Sequence, residues 1–501
     1  MRVLLISMPD SICLYRWAQA FMPNLGISSI AANVDRTVFE VRLLDLLMEP
    51  YGVRRTVKQI VEEYRPHIVG LTAMSFQMRS AVQIAGLAKS IDTSIVTVLG
   101  GYHATLAYED IAPGSFDFLV RGEGEATARE LFEMVESGGR AFEQIAGLSF
   151  RSEERWVHNR PRALLDPSSI ALPDRESRVF GHRDGLNGNI DSIETSRGCR
   201  LACSFCCIRQ MYGQSFRTFP IPRVIEDIRR ARSLGAHRIF FSDDNITTDV
   251  ERFKSLCQAI VDTGLNNIRY STQASVLGIS SSEDLVRMMR DANFTLVFIG
   301  IEGLSEQKLR FVKKGNILDR SLRAIELLHK HGIQIMAGFI TGLPDDRPED
   351  VRDVFRFVQR NRIAVPYVLC STPYPKTPFG DELVRERLVI DRDNYDLYNC
   401  WATNVRTRHM SRLRLSFERS LGYFKFVFRT AVLGDNHYVR KIREEDYFAM
   451  VLYRLASIVV FCRLITGTWQ TVRGTHFYSW WEWPRALHDR LGGVFRRTTT
   501  E

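Results

Sequence analysis

Apolar and polar residues alternate along the first 140 residues in blocks that predict strands and helices in turn. Short apolar runs are separated by polar stretches with a 3.6-residue period, such as residues 56–64 and 80–89. The predicted strands are residues 3–8, 38–47, 67–74, 94–99 and 116–120. Strands that alternate with helices in this way predict an α/β domain with a Rossmann-like, doubly wound parallel sheet, which binds ligands at the carboxyl ends of its strands.

The same alternation returns in residues 191–380, with helical runs at residues 222–234, 283–292 and 319–331. The predicted strands here are residues 192–195, 238–242, 268–271, 296–301, 333–339 and 367–371. About six strand–helix units predict a partial (β/α)6 barrel of the TIM type, whose loops at one rim carry the chemistry.

Two other regions lack this alternation. Residues 141–190 contain a hairpin-like stretch at 151–156 and several prolines, which predicts a linker. Residues 381–501 are predicted to be helical, basic and rich in aromatic residues. The chain therefore divides into four regions: 1–140, 141–190, 191–380 and 381–501.

The C-terminal region raises the question of a membrane. Residues 447–466 are apolar over a spanning length, but Arg454 and Arg463 interrupt them, which favours a surface-lying or core helix over a span. Residues 476–484 form an aromatic patch that suits a lipid interface or packing on the barrel. The sequence is therefore compatible with two arrangements of this region: a peripheral contact at the inner face of the membrane, or packing against the barrel.

Charge and cysteine content narrow the function. From residue 403 onward the chain has 17 Lys or Arg and 8 Asp or Glu, so this last fifth holds the whole net charge of +9. A neutral catalytic core argues against a nucleic-acid partner. Of nine cysteines, four lie within residues 199–207, which indicates a metal site in a reducing compartment rather than a disulfide framework. Residues 1–8 lack a basic leader, so we expect a cytoplasmic protein without a signal peptide.

The cysteine cluster has the spacing Cys-x3-Cys-x2-Cys and directly follows an apolar strand. It consists of Cys199, Cys203 and Cys206, with Cys207 as an adjacent thiol. Thiolates are soft ligands that suit iron–sulfur clusters, and three of them leave one iron of a four-iron cluster open to a substrate. A structural zinc site is the alternative, although it would need a fourth Cys or His nearby.

This spacing, with Phe205 before the third cysteine, resembles the radical S-adenosylmethionine (radical SAM) superfamily. The resemblance implies a [4Fe–4S] cluster on Cys199, Cys203 and Cys206, and S-adenosylmethionine as a cofactor that the cluster cleaves to a 5′-deoxyadenosyl radical. Matching segments follow the later strands in the order that the superfamily uses. The resemblance implies S-adenosylmethionine contacts at Asp243, Asp244, Thr272, Gln273, Glu302 and Gly338.

The N-terminal domain resembles the cobalamin-binding members of that superfamily. The matching segments are residues 70–75, 99–103 and 121–125. The resemblance implies that Ser75, Gly100 and Gly101 line the nucleotide tail of cobalamin. The Asp-x-His-x-x-Gly element, which supplies a cobalt ligand in other cobalamin proteins, is missing from the sequence. A Rossmann-like domain that binds nothing, or another nucleotide, is the alternative.

Residues 371–378, Ser-Thr-Pro-Tyr-Pro-Lys-Thr-Pro, resemble a segment of the anaerobic magnesium-protoporphyrin monomethyl ester cyclase and of hopanoid methylases. The resemblance implies a methyltransferase that acts on an unactivated carbon of a large hydrophobic substrate (a lipid, hopanoid or tetrapyrrole), with flavodoxin or ferredoxin as reductant. An oxidative cyclase-type enzyme with the same cofactors is one alternative. A cobalamin or redox sensor without catalysis is another, from a different class.

Overall fold

The computed structural model describes residues 1–9, 22–48, 52–181 and 189–431, which form two large sheets covered by helices. The first sheet has seven strands in the order β2-β1-β3-β4-β5-β6-β7. These strands are β1 (Arg2–Ser7), β2 (Glu40–Asp45), β3 (Ile68–Thr72), β4 (Val96–Gly100), β5 (Phe118–Val120), β6 (Leu148–Ser152) and β7 (Arg155–His158). Its helices are α1 (Leu25–Ala32), α2 (Val53–Tyr64), α3 (Met78–Ile91), α4 (Tyr102–Leu106) and α5 (Gly124–Glu136).

Strands β1 to β5 are parallel, with Leu4 of β1 in register with Val69 of β3. Helices α1 and α5 cover one face of the sheet, and α2 and α3 cover the other. Residues 3–7 of β1 are all buried, because a parallel sheet with helices on both sides has no solvent face. The doubly wound fold predicted for this domain is confirmed.

Strands β6 and β7 come from the segment that the sequence assigns to a linker. The predicted hairpin forms, but β6 pairs antiparallel with β5, so the hairpin extends the first sheet. Trp156 secures it by donating a hydrogen bond of 2.9 Å from Nε1 to the carbonyl oxygen of Ile111. An isolated hairpin is only marginally stable, so it gains stability by joining a sheet. The sequence pattern shows the hairpin but not the strand that it joins.

The second sheet has six parallel strands in the order β8-β11-β12-β13-β14-β15, with β8 and β15 at its two edges. These strands are β8 (Ile190–Ile193), β11 (Arg238–Phe241), β12 (Arg269–Ala274), β13 (Phe294–Glu302), β14 (Gln334–Thr341) and β15 (Val365–Cys370). A small ribbon follows β8, made of β9 (Ser196–Arg197) and β10 (Arg217–Thr218). The helices are α6 (Ile208–Tyr212), α7 (Ile221–Ser233), α8 (Val250–Asp262), α9 (Val276–Ser281), α10 (Glu283–Asp291), α11 (Glu306–Phe311), α12 (Leu318–Lys330) and α13 (Pro348–Arg360). Six parallel strands in an open order, separated by helices, confirm the partial barrel.

Two further helices follow the barrel, α14 (Pro378–Arg385) and α15 (Arg412–Ala431). Helix α15 packs closely on α13, since a Cβ on Gly422 would lie 2.2 Å from the Phe355 ring. The patterns at residues 447–466 and 476–484 lie outside the described residues. Within the ranges that the structure describes, no helix is long and apolar enough to cross a membrane.

Phe294 is central to the barrel core, where its ring lies 5.3–5.6 Å from the rings of Phe241, Tyr270 and Phe253. We expect Phe294→Ala to leave a cavity and to destabilise the barrel by about 3–5 kcal/mol. Urea unfolding followed by circular dichroism measures this as a lower midpoint. The control is Leu234→Ala, since Leu234 is 39% exposed. Equal midpoints for the two variants would contradict this account of the core.

Candidate active site between the two sheets

The three predicted cluster cysteines lie on the loop between β9 and α6. The ribbon of β9 and β10 closes the base of this loop. The loop begins at Gly198, which has a φ of 89°, and a Cβ there would lie 2.4 Å from the Ser215 carbonyl oxygen. Only glycine satisfies both conditions. Cys199, Cys203 and Cys206 are partly accessible, and none of them forms a disulfide.

Two aspartates after β11 hold this loop in place. Asp243 is fully buried and accepts hydrogen bonds from the Thr195 backbone nitrogen at 3.1 Å and the Thr195 hydroxyl at 2.7 Å. It also accepts a short hydrogen bond from the Ser196 hydroxyl. Asp244 accepts from the Gly198 nitrogen at 3.0 Å. The carboxyl edge of the barrel thus fixes the chain immediately before the first cysteine.

These contacts change the role expected for Asp243, from binding the cofactor to holding the chain in place. Asp243 was predicted to contact S-adenosylmethionine, but both of its oxygens accept hydrogen bonds from Thr195 and Ser196, just before the loop, and its side chain has no exposure. Its place in the structure is that of a positioning residue. Asp244 is partly accessible, and burial raises its pKa to about 6. Its neighbour Asn245 reaches the cluster loop directly, with its amide nitrogen 3.7 Å from the Cys199 sulfur.

Glu302 ends β13 with a φ of 66°, an uncommon conformation for a residue with a side chain. Its carboxylate accepts a hydrogen bond of 2.7 Å from Lys314 Nζ. Burial opposes the charge of Lys314, yet the Glu302 carboxylate outweighs this and holds the Lys314 pKa above its ordinary value. Gly300 makes room for the pair, because a Cβ there would lie 2.2 Å from Glu302 Oε1. A pocket beside this pair is lined by Cys203 and Ser275.

Thr272 and Gln273 of β12 were both predicted to face the cofactor. Successive strand residues point to opposite faces, so the two cannot do so together. Thr272 is buried on the same face as Tyr270, which belongs to the core under the helices, whereas Gln273 is partly accessible on the other face. Gly338 of β14 leaves space for a neighbouring ring, since a Cβ there would lie 2.7 Å from Phe298 Cζ.

At the carboxyl edge of the first sheet, Gly100 ends β4 and Gly101 follows it, and the two glycines have different surroundings. Gly101 has a φ of 93°, and a Cβ there would lie 2.7 Å from Thr72 Oγ1 and 3.0 Å from the Ala73 nitrogen. The protein itself therefore requires this glycine. A Cβ on Gly100 would meet nothing closer than the Val120 carbonyl oxygen at 3.8 Å, so this backbone leaves room for a ligand.

Ser75 lies at the same edge and is buried. Its hydroxyl is 3.1 Å from Nδ1 of His103. Burial lowers the pKa of His103 to about 4, so the imidazole is neutral near pH 7. The ring packs edge-on against Tyr395 at 4.6 Å, and the Tyr395 hydroxyl donates to Asp110 at 2.5 Å. A segment that follows the barrel thus covers this part of the first sheet.

The two carboxyl edges face each other. Helix α4, after β4, packs against α6, after the cluster loop. Tyr102 is partly accessible, yet burial raises its pKa well above the ordinary value, with further contributions from Tyr212, Asp244, Cys207 and Cys206. Tyr102 therefore lies in the region between the edge of the first sheet and the cysteine loop, which we call the interior space.

Comparisons with known proteins identify both domains. A family model of the radical SAM superfamily matches residues 193–358, and a model of the B12-binding domain matches residues 16–132. The chain is a cobalamin-binding radical SAM enzyme. Its cofactors are a [4Fe–4S] cluster, S-adenosylmethionine and cobalamin.

Several curated proteins resemble this radical SAM enzyme. An uncharacterized methyltransferase of Pyrococcus horikoshii is 29% identical, over 86% of this chain and 94% of that protein. The hopanoid C-3 methylase of Methylococcus capsulatus is 26% identical over 70% and 67%. The anaerobic magnesium-protoporphyrin IX monomethyl ester cyclase of Rubrivivax gelatinosus is 25% identical over 68% and 62%.

Solved structures share the fold. The radical S-adenosylmethionine methyltransferase TsrM of Kitasatospora setae superposes with a TM-score of 0.63 at 19% identity, over 77% of this chain and 78% of that one. The cobalamin-dependent radical enzyme OxsB superposes with a TM-score of 0.67 at 16% identity, over 99% and 75%. At such identities the likeness establishes architecture alone.

The donors on the cysteine loop fit a four-iron cluster. Three thiolates that bind three different irons need not converge on one point, unlike the ligands of a structural zinc ion. Among the described residues, no three His, Cys, Asp or Glu side chains form a set of ligands for a single ion. Burial raises the pKa of Cys203 and Cys206, so both are protonated thiols near pH 7 before iron binds. Binding of iron therefore releases their protons.

The surroundings fit the other two cofactors as well. Cys203, Ser275 and Lys314 line a small pocket at the cysteine loop, and Glu302 accepts a hydrogen bond from Lys314. These polar groups would lie near S-adenosylmethionine bound to the cluster. Gly100 and Tyr102 offer cobalamin an accessible edge on the first sheet. Sequence reasoning missed Lys314 and Tyr102. The position of Tyr102 directly after the paired glycines was the available signal, whereas Lys314 has none, since its partner lies twelve residues away.

Gly198 tests the role of the loop geometry. We expect Gly198→Ala to displace the loop, because the new Cβ would overlap the Ser215 carbonyl oxygen. Iron and sulfide analysis after anaerobic reconstitution should show most of the bound iron lost. The matched control is Gly213→Ala, which also has a positive φ, of 63°, but has no atom within 4 Å of the added Cβ. Iron content that falls equally in both variants would refute the steric explanation.

Proposed function

We propose that this radical SAM enzyme is a methyltransferase that acts on an unactivated carbon of a large hydrophobic substrate. When bound, the cluster and S-adenosylmethionine supply the 5′-deoxyadenosyl radical, and cobalamin supplies the methyl group. A one-electron donor such as flavodoxin or ferredoxin would reduce the cluster. We place the enzyme in the cytoplasm, and the seven cysteines in the described ranges, all without a disulfide, support a reducing compartment.

The observation that carries this proposal is the position of Tyr102. It follows the cobalamin-domain glycines and faces the same interior space as Cys206 and Cys207. A substrate in that space would lie between the two cofactor-binding edges. Hydrogen removal and methyl delivery need one carbon to be reachable from both sides, and this arrangement provides such access.

Two further tyrosines beside the interior space are neutral, whereas Asp244, with a pKa of about 6, is charged near pH 7. Burial raises the pKa of Tyr212 and Tyr374 above the ordinary value, so both remain protonated phenols at neutral pH. The Tyr374 hydroxyl lies 3.2 Å from the Cys400 sulfur. Phenols and thiols of this kind orient a substrate and exclude water without adding charge, which suits an apolar molecule.

Similar proteins and one surface feature support a hydrophobic substrate. Relatives include hopanoid methylases and a bacteriochlorophyllide methyltransferase. On α15, four exposed apolar side chains lie on one helical face: Leu413, Phe417, Phe424 and Phe428. The exposed Arg414, Lys425 and Arg429 lie along one side of this stripe. A helix with this pattern suits a peripheral contact with anionic lipid.

The second candidate is an oxidative cyclase-type reaction with the same cofactors and no methyl transfer. Its support is the similarity to three magnesium-protoporphyrin cyclases, at 23–25% identity. The two candidates differ in their products, because only the methyltransferase converts S-adenosylmethionine to S-adenosylhomocysteine.

Anaerobic reconstitution with iron, sulfide and hydroxocobalamin tests the proposal. With reductant and labelled S-adenosylmethionine, we expect 5′-deoxyadenosine, S-adenosylhomocysteine and one bound cobalamin per chain. Cys199→Ala should abolish deoxyadenosine, because the cluster loses a ligand. The control Cys207→Ala should keep the iron content of the natural protein. Deoxyadenosine and bound cobalamin without S-adenosylhomocysteine would favour the cyclase-type reaction, and no cleavage at all would refute both.

The lipid contact has its own test. We expect the full chain to sediment with vesicles that contain phosphatidylglycerol, and the double variant Phe417→Ser/Phe424→Ser to bind them about tenfold more weakly, because burial of apolar area is lost. The matched control is Leu322→Ser/Leu234→Ser, which removes two exposed apolar side chains elsewhere. Equal vesicle binding by the natural protein and the Phe417/Phe424 variant would refute a contact through α15.

A further inference from the structure

Arg197 connects the cysteine loop to the other domain. It lies two residues before Cys199, and its guanidinium reaches the first domain. Nη1 donates to Glu123 Oε1 at 2.9 Å, and Nη2 donates to Glu125 Oε1 at 2.6 Å. Nε donates to both oxygens of Glu194 at 3.0 Å. One side chain therefore joins the barrel, the cysteine loop and the domain that binds cobalamin.

The two glutamates have further hydrogen-bond partners in both domains. Glu123 also accepts hydrogen bonds from Arg217 Nη2 at 2.9 Å and from the Leu165 nitrogen at 2.7 Å. Glu125 accepts from the Ser29 hydroxyl at 2.7 Å. Both residues belong to the segment 121–125, between β5 and the first turn of α5. This segment matches cobalamin-binding proteins. Its two glutamates nevertheless bind Arg197, which lies next to the cysteine loop of the other domain.

Because the network of Arg197, Glu123 and Glu125 is buried, it depends on the shape of the arginine side chain as well as on its charge. The side chains of Arg197, Glu123 and Glu125 are only 8%, 3% and 7% exposed. Removing one member of such a network leaves uncompensated buried charge. A guanidinium presents its donors in a planar fork, whereas the ammonium of lysine is a single point charge that cannot reach all three carboxylates in the same geometry. Arg197→Lys therefore keeps the charge but loses the shape.

We propose that Arg197 is a positioning residue that sets the separation between the cysteine loop and the cobalamin-binding edge. The inference rests on the proposed function in one respect, namely that both cofactors act on one substrate carbon. A displaced arginine would move Cys199 relative to Tyr102 across the interior space. Other contacts, such as the hydrogen bond of 3.0 Å from the Ser192 hydroxyl to the Pro23 carbonyl oxygen, would still join the domains.

The separation can be measured without turnover. Holoenzyme is reconstituted with the cluster and cobalamin and then reduced, so that both cob(II)alamin and the cluster are paramagnetic. The relaxation of the cob(II)alamin EPR signal depends steeply on its distance from the reduced cluster. We expect Arg197→Lys to retain both cofactors and to give an altered, broader distribution of relaxation rates. Glu125→Gln, which keeps the shape but removes a charge, should give a smaller change in the same direction.

The matched control is Arg175→Lys. Arg175 is 2% exposed and binds the barrel carboxylates Asp191 and Asp227, so it tests the general loss of a buried arginine. Relaxation identical in Arg197→Lys and the natural protein would overturn the proposal. So would an equal change in Arg175→Lys, because the effect would then be one of stability.

The consequence for catalysis is a separate measurement. A misplacement of about 1 Å is enough to lower productive chemistry by one to two orders of magnitude, so Arg197→Lys should form about tenfold less S-adenosylhomocysteine per deoxyadenosine. If the natural protein forms no S-adenosylhomocysteine at all, the methyltransferase assignment fails while the relaxation result still decides the role of Arg197. Arg197→Lys could alter the EPR relaxation and yet leave the amount of product per deoxyadenosine unchanged. That result would overturn the link between the distance from cluster to cobalamin and the methyl-transfer reaction.

Discussion

The parallel strands of the two sheets meet at their carboxyl edges, and the candidate site depends on this arrangement. All strands of a parallel sheet end on the same side, so each domain presents its loops at a single edge. Tyr102 extends from one edge, and Cys206 lies on the loop that follows the first strand of the other. Side chains separated by about a hundred residues in sequence can then line one space.

Much of this was predictable, because burial on both faces of a sheet leaves a strong apolar signal. The strands and the partial barrel follow from that signal, and the cysteine spacing identifies the cluster. The roles of single polar residues were less accessible. Asp243 and Thr272 lie in the expected segments, but one holds the loop and the other faces the core. Strand registers and bulges decide such orientations, and long-range pairs such as Glu302 with Lys314 leave no periodic trace.

Two different kinds of contact fix the cysteine loop. Asp243 belongs to the barrel and binds the chain through the backbone and hydroxyl groups of residues 195 and 196. Arg197 binds carboxylates of the other domain through charge. The first kind of contact is local and tolerates little displacement. The second kind of contact depends on how the two domains pack against each other. The position of the cysteine loop is therefore set by the interface between the domains as well as by the fold of the barrel.

The cover that Tyr395 places over the first sheet has a consequence for biosynthesis. Its hydrogen bond to Asp110 joins residues 285 positions apart. On a ribosome, the first domain is complete long before residue 395 emerges, so its carboxyl edge is exposed during most of translation. The nascent chain therefore offers a more open route to that edge than the finished protein, in which Tyr395 covers part of it. The order of the chain thus leaves this edge freer during synthesis than after folding is complete.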